Sequence, residues 1–238
     1  MSAGHRRVRA FVRRWTFLTA LPVLGWVLAP GAALAADAAK PHEHQGKLKP
    51  YARPPPPLEL SDAEKKALGE GRPVMRQTEG DATSGRGMAV FRVDASPDVV
   101  WATINDFGSY PKWIDGVKKC AVYKKEGGLI DVEFQVSSFP VSADYFIHHD
   151  FDMANRWGTW TLDYTRNSDL DDSVGFWRVN PAPGDRNQSL VEYSVDVAAK
   201  AWLPGFVRTL IVDTGLKQAT QWVKVQSEKK AGATKHPQ

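Results

Sequence analysis

Phe91-Arg-Val-Asp-Ala-Ser-Pro-Asp-Val-Val-Trp101-Ala-Thr-Ile-Asn-Asp-Phe-Gly-Ser-Tyr-Pro111-Lys-Trp113 decides the fold, because strand, helix and aromatic loop follow one another in it without a break. Phe91 and Val93 alternate with polar neighbours, the period-2 pattern of a strand with one buried face. Ser96-Pro97 then supplies an N-cap residue and a proline at the first helical position, where a missing N–H costs nothing. Val100, Trp101 and Ile104 share one side of a short helix predicted over Pro97 to Asn105, and the Gly108 to Pro111 segment stops it.

Working outward, Pro73 to Thr78 reads as an added strand pairing with Arg86 to Asp94 across a Gly/Asp/Ser-rich loop. Six further strands are predicted at Val117 to Lys124, Leu129 to Ser138, Val141 to Met153, Arg156 to Thr165, Ser173 to Asn180 and Ser189 to Ala198. Gly, Asn, Asp and Pro clusters separate them, so consecutive strands joined by short turns make an antiparallel meander. A last helix is expected from Pro204 to Ser227, with Leu203, Val207, Leu210, Ile211, Thr214, Gln218, Gln221, Trp222 and Val225 on one face.

The elements Ala95-Ser-Pro-Asp-Val-Val-Trp101 and Asp106-Phe-Gly-Ser-Tyr-Pro-Lys-Trp113, in this order behind a long strand, resemble the opening of the START-like (SRPBCC) superfamily. That superfamily includes polyketide cyclase-type, coenzyme-Q-binding and birch-allergen-like proteins. The resemblance spans residues 72 to 227 and implies an α+β helix-grip fold, a curved antiparallel sheet wrapped around a long C-terminal helix with an apolar cavity between them. Members bind lipids, quinones, sterols or aromatic polyketides and only some are catalysts, so the resemblance implies a cavity more firmly than an activity.

The N-terminus carries Arg6, Arg7, Arg9, Arg13 and Arg14, an apolar run from Trp15 to Ala29, and Ala33-Leu34-Ala35 before Ala36. This is the pattern of a secretory signal peptide over 1–35 cut after Ala35, and the competing reading is an uncleaved anchor, for which the run is short. Arg13-Arg14-Trp-Thr-Phe-Leu hints at the twin-arginine route, but the Phe-Leu pair sits one place late and ordinary signals also begin with arginines, so both routes stay open. The formal charge of +4 belongs to this leader: without its five arginines the 31 basic residues become 26 against 27 acidic, net −1. Nucleic-acid binding therefore has no electrostatic support. The expected location is periplasmic or secreted. Residues 36 to 58, ending in Pro54-Pro-Pro-Pro57, read as a disordered spacer. Ser61-Asp-Ala-Glu64 is a capping box opening a short helix within 59–71; the domain is placed at 72–228 and a disordered tail at 229–238, whose lysines offer transient contact with a membrane surface. The lone Cys120 allows no internal disulfide and reads as a small buried hydrophobe rather than a nucleophile.

Strand alternation names the inward face. Phe134 and Val136 lie on one strand; Tyr145, Ile147 and His149 on the next; Trp160, Leu162 and Tyr164 on the third; Phe176, then Tyr193 and Val195, on the last two. With Trp113 from the loop and Val207, Leu210, Ile211 and Thr214 from the helix they form the expected ligand-binding set, and the alternative is that they only fill the sheet–helix interface. Aromatic area with a few polar handles suits a hydrophobic ligand carrying some oxygens. His149 is the candidate lone polar group, either holding a ligand hydroxyl or carbonyl or serving as acid/base. Metal signals are weak: His42-Glu-His44 has no third ligand near it in sequence, and Asn167-x-Asp169-x-Asp171-x-Ser173 mimics a calcium loop but has Asp172 where glycine is required. No catalytic residue or cofactor is expected. The leading reading is a binder of a lipid, sterol/hopanoid or quinone; the alternatives are a cyclase/dehydratase-like enzyme using His149, Tyr145 or Tyr193, and an envelope protein-interaction module.

Overall fold

The strand pattern of the sequence closes into a single sheet. The structure, a computed structural model, describes residues 36–79, 84–138, 141–200 and 215–235. In chain order the elements are α1 (Asp62–Gly69), β1 (Val74–Glu79), β2 (Ser84–Val93), α2 (Pro97–Ile104), a 3-10 turn (Phe107–Ser109), α3 (Tyr110–Trp113), β3 (Val117–Glu126), β4 (Leu129–Ser138), β5 (Val141–Asp152), β6 (Trp157–Leu162), β7 (Leu170–Ala182), β8 (Asp185–Ala199) and α4 (Gly215–Lys235). Among the described residues the sheet has eight antiparallel strands in the order β1-β2-β8-β7-β6-β5-β4-β3. None of the described helices is long and apolar enough to cross a membrane.

One face of the sheet grips α4. Leu216, Ala219, Trp222, Val223 and Ala231 are buried, and they join Phe91, Val93, Val100, Ile104, Val191 and Val195 in the main core. Gly87 lets the helix come this close: a Cβ there would stand 2.6 Å from Leu216 Cδ1. The buried side of α4 differs from the expected one, since Gln221 is exposed and Val225 is 55% exposed. The continuation of α4 to Lys235 also corrects the disordered tail. Lys230 pairs with Asp106 at 3.1 Å and lies over the Trp113 ring, so the last turns clamp the loop between α2 and α3. Val207, Leu210, Ile211 and Thr214, the Trp202 to Phe206 segment and the leader 1–35 lie outside the described residues.

The capping box at α1 forms as read: Ser61 N–H donates to Glu64 Oε2 at 2.8 Å and Glu64 N–H to Ser61 Oγ. Ser96 occupies the N-cap of α2 with extended backbone, but its side chain makes no cap bond. Pro97 at N1 carries no N–H, so this helix start has one unpaired donor fewer.

The larger correction concerns residues 36 to 58, which are not a loose spacer but a strap on the outer face of the sheet. Lys47 and Leu48 both donate their amides to Asp172 Oδ2, at 2.6 and 2.7 Å. Tyr51 bonds Ser194 Oγ at 2.8 Å and packs its ring edge-on to Phe176, while the Leu58 amide donates to Glu192 Oε2 at 2.8 Å. An extended Pro-rich chain makes no internal hydrogen bonds, so its amides are free to bind carboxylates offered by the sheet. Composition shows too few apolar residues for a core, but not the buried acceptors 124 or more residues away.

Candidate functional site

Between the inner face of the sheet and α4 lies a cavity of about 460 Å³, within the range of small-molecule sites. Phe134, Val136, Tyr145, Ile147, His149, Trp160, Tyr193 and Val195 stand on its wall, so alternation placed eight of the expected residues together. Asp115 and Lys118, both exposed, also line it, so the cavity reaches solvent beside the turn joining α3 to β3.

Four expectations for this wall are corrected. Phe176 points outward, because β7 puts Gly175 and Trp177 inside, and its ring meets Tyr51 of the strap. Tyr164 lies two residues past the end of β6, where alternation no longer applies; its hydroxyl donates to Asp172 at 2.7 Å beside His42 and His44. Leu162 faces inward opposite Ile147 but is sealed into the core at 1% exposure. Trp113 sits one layer behind the wall, its ring centroid 6.0 Å from that of Trp222, which is the residue lining the cavity. Trp222 stands on the helical face expected to look inward but was not among the expected ligand-binding residues, and of the rest of that face Gln221 and Val225 turn out to solvent. Sequence reading also missed Trp177, for which counting outward from Gly175 was the available signal. A Cβ on Gly175 would stand 2.0 Å from Trp160 Cζ2, so this glycine admits the indole that stacks on Tyr193.

The polar atoms of the wall define what the site can do. His149 is buried among Phe107, Phe151 and Trp160, and its Nδ1–H donates to the Ile130 carbonyl at 3.0 Å. Burial pushes its pKa down from 6.5 to about 3, so at neutral pH the ring is uncharged and Nε2 carries a lone pair rather than a proton. Among the described residues neither that Nε2 nor the hydroxyls of Tyr145 and Tyr193 has a hydrogen-bond partner. Burial raises both phenols, which stay protonated and able to donate. Tyr110, by contrast, is satisfied: its hydroxyl donates to the Ile104 carbonyl at 2.6 Å. Cys120 is buried with its thiol pKa raised by desolvation, as expected of a packing residue.

On the other face His42, His44 and Asp171 come together with ligand atoms within 4.8 Å of one another, a third ligand that the sequence did not show. Their valences are taken. His42 Nε2 donates to the Asp171 carbonyl and Nδ1 accepts the Ser168 amide; His44 Nδ1 accepts the Gly46 amide and Nε2 meets Asp171 Oδ1; the Lys47 ammonium lies 3.0 Å from the same carboxylate. This is a hydrogen-bonded clasp for the strap. The calcium-like run is the other half of it: Asp169, Asp171 and Asp172 hold strap residues.

A family model described as "Polyketide cyclase / dehydrase and lipid transport" matches residues 93–221, more than half of the chain. No curated protein matches. Among solved structures, a Thermus thermophilus protein is 14% identical with a TM-score of 0.52, over 63% of this chain and 99% of its own. An aromatase/cyclase from Streptomyces is 15% identical with a TM-score of 0.49, over 69% of this chain and 98% of its own. A START superfamily protein from Mycobacterium smegmatis is 16% identical with a TM-score of 0.49, over 63% and 98%. The architecture is the helix-grip fold, an antiparallel sheet wrapped around a C-terminal helix.

Proposed function

Because the chain belongs to the family of polyketide cyclases, dehydrases and lipid transport proteins, within the START-like superfamily, we propose that it binds a hydrophobic small molecule bearing a hydroxyl group in the sheet–helix cavity. The observation that carries this reading is the unfilled set of polar atoms on an otherwise aromatic wall: Nε2 of His149 and the hydroxyls of Tyr145 and Tyr193. Polar groups in a protein interior are ordinarily paired, so three on a cavity wall without a protein partner mark where a bound molecule fits. Nε2 only accepts, and therefore calls for an O–H or N–H. A quinone offers carbonyl acceptors alone and suits the tyrosines but not the histidine; a sterol- or hopanoid-type alcohol, or a phenol, suits both.

Binding is then a partition. Burying about 300 Å² of apolar ligand surface at about 25 cal/mol per Å² contributes about 7.5 kcal/mol, much of which offsets lost translational freedom. The hydrogen bonds supply selectivity, and exchange runs through the opening beside Asp115 and Lys118. The protein works outside the cytoplasm after its leader is cut following Ala35, a reading supported by the arginine-led apolar run and by a lone cysteine kept buried. The enzymatic alternative is weaker here: an imidazole with a pKa near 3 is a poor base and holds no proton to give at neutral pH.

The test is twofold. Protein purified from its natural compartment, extracted and analysed by mass spectrometry, releases a hydroxylated apolar molecule. Titrated with a naphthol and with its methyl ether, the emptied protein prefers the naphthol by about tenfold, the worth of one hydrogen bond. Equal affinity for both probes overturns the hydroxyl assignment, and an empty protein that takes up neither overturns the binding reading.

A further inference from the structure

Asp169, the residue before β7, is 6% exposed, and its carboxylate is held by two backbone amides. Oδ2 accepts from Asp144 N–H at 2.8 Å and Oδ1 accepts from Ala36 N–H at 2.9 Å. Among the described residues no side-chain cation pairs with it. Lys200, the nearby cation, is engaged with Asn167 at 3.0 Å and Glu43 at 3.2 Å. Asp144 adds a second negative charge, and one of its own oxygens is buried without a partner. Burial pushes the Asp169 pKa up and the Asp144 charge adds to it, against the two amides and the more distant Lys200, which pull it down. Two neutral amides are meagre compensation for a buried carboxylate with another beside it.

One of the two nitrogens bonded to that carboxylate belongs to Ala36, the residue that the leader pattern makes first in the processed chain. Its position is fixed by the antiparallel bridge between Asp37 and Asn167, with bonds of 2.8 and 3.1 Å. We propose that the Asp169 carboxylate is the binding site for the α-ammonium of the processed chain, so that cutting the Ala35–Ala36 bond supplies a countercharge in direct contact with it. This rests on the export reading given above. In the cut, water adds its oxygen to the Ala35 carbonyl carbon as the C–N bond breaks. Ala35 leaves as a carboxylate, and Ala36 nitrogen takes up the water's protons to become –NH3⁺. A neutral donor thus becomes a charged one without leaving its acceptor, which adds a direct attraction between opposite charges to the hydrogen bond.

The consequence is a clasp that tightens on maturation. Asp169 is also tied to β5, its own N–H donating to the Asp144 carbonyl at 2.8 Å, and Asp144 adjoins Tyr145 of the cavity wall. Strap, acidic turn and cavity strand are joined at this one carboxylate.

Four samples test it: the exported protein and the same protein acetylated at its α-amino group, each with Asp169 or with Asp169→Asn. Intact mass of the exported chain is measured first and is expected to begin at Ala36. In the processed chain Asp169→Asn lowers Tm by about 6 °C, and acetylation alone does nearly the same; on the acetylated chain Asp169→Asn has little further effect, about 2 °C or less. If the substitution costs as much with the amine capped as with it free, the seat is refuted while the export reading stands. A mass beginning elsewhere refutes the cleavage position, and the proposal with it. Should the Asn variant fail to fold, the effect of acetylation on otherwise unaltered protein still decides: an unchanged Tm overturns the proposal.

Discussion

On the outer side of β7 and β8, Arg178, Glu192, Ser194 and Asp196 meet the strap, each other or β2, and each has a partner: Arg178 with Glu192, Glu192 with Leu58, Ser194 with Tyr51, Asp196 with Arg86. On the inner side, Trp177, Tyr193 and Val195 of the same strands face a cavity in which Tyr193, with Tyr145 and His149 of β5, has polar atoms to spare. Both faces are buried, but one is closed by the protein itself and the other is left open. Substitutions on the outer face should therefore cost stability, whereas those on the inner face should cost affinity.

The largest break in that comparison is Asp172→Ala. Asp172 is fully buried and accepts from the amides of Lys47, Leu48 and Ser173 and from the Tyr164 hydroxyl. Removing the carboxylate strands these donors, at about 1 kcal/mol or more each. Thermal unfolding should shift down by about 10 °C, and limited proteolysis should open the strap between residues 36 and 58 first. Ligand affinity of the folded fraction should stay within about twofold, since no Asp172 atom reaches the cavity. A variant that keeps its Tm would show the strap to be an ornament on the sheet.

Acid sharpens the comparison from both sides, because each face holds a buried neutral histidine. His149 takes its proton near pH 3 when folded but near 6.5 when unfolded. Below pH 6.5 the unfolded chain therefore binds more protons, and stability, complete above that value, falls with pH down to about 3. The slope approaches about 1.4 kcal/mol per pH unit, so about 2 kcal/mol is lost by pH 5. His42 of the strap is shifted down by burial too and adds to the same trend. Denaturant unfolding of His149→Phe at pH 7 and pH 5 should show most of that loss abolished, while His42→Phe should remove the smaller share. An unchanged slope in His149→Phe would mean that the imidazole is hydrated and charged in the cavity.

The same two faces divide what could be read in advance. The meander, α2 and eight wall positions were legible because each follows from a period of two or of 3.6 in a local stretch. Phe176 and Tyr164 were not, since period-2 alternation fixes that neighbours oppose one another but not which of them is inside once both faces are covered. β7 is buried along nearly its whole length, so hydrophobicity gave no phase, and only Gly175 beneath Trp160 sets it. The strap was illegible for a different reason. Its hold on the sheet comes from backbone amides and distant carboxylates, and neither leaves a mark on the composition of residues 36 to 58.

The smallest expected effect tests the open side most directly. Tyr145→Phe and Tyr193→Phe each delete a hydroxyl that has no partner in the empty protein and leave the ring in place, stacked on Phe134 in one case and against Trp160 and Trp177 in the other. No internal bond is lost, so Tm should move by no more than about 1 °C. Affinity for a hydroxylated ligand should fall by about fivefold for each, close to 1 kcal/mol, while affinity for the matching methyl ether, which can still accept from the remaining tyrosine, falls less. Calorimetric titration of both probes against both variants separates the outcomes. A Tm that drops by several degrees would mean that the hydroxyls are already bonded within the protein, and the inner face would then be as closed as the outer.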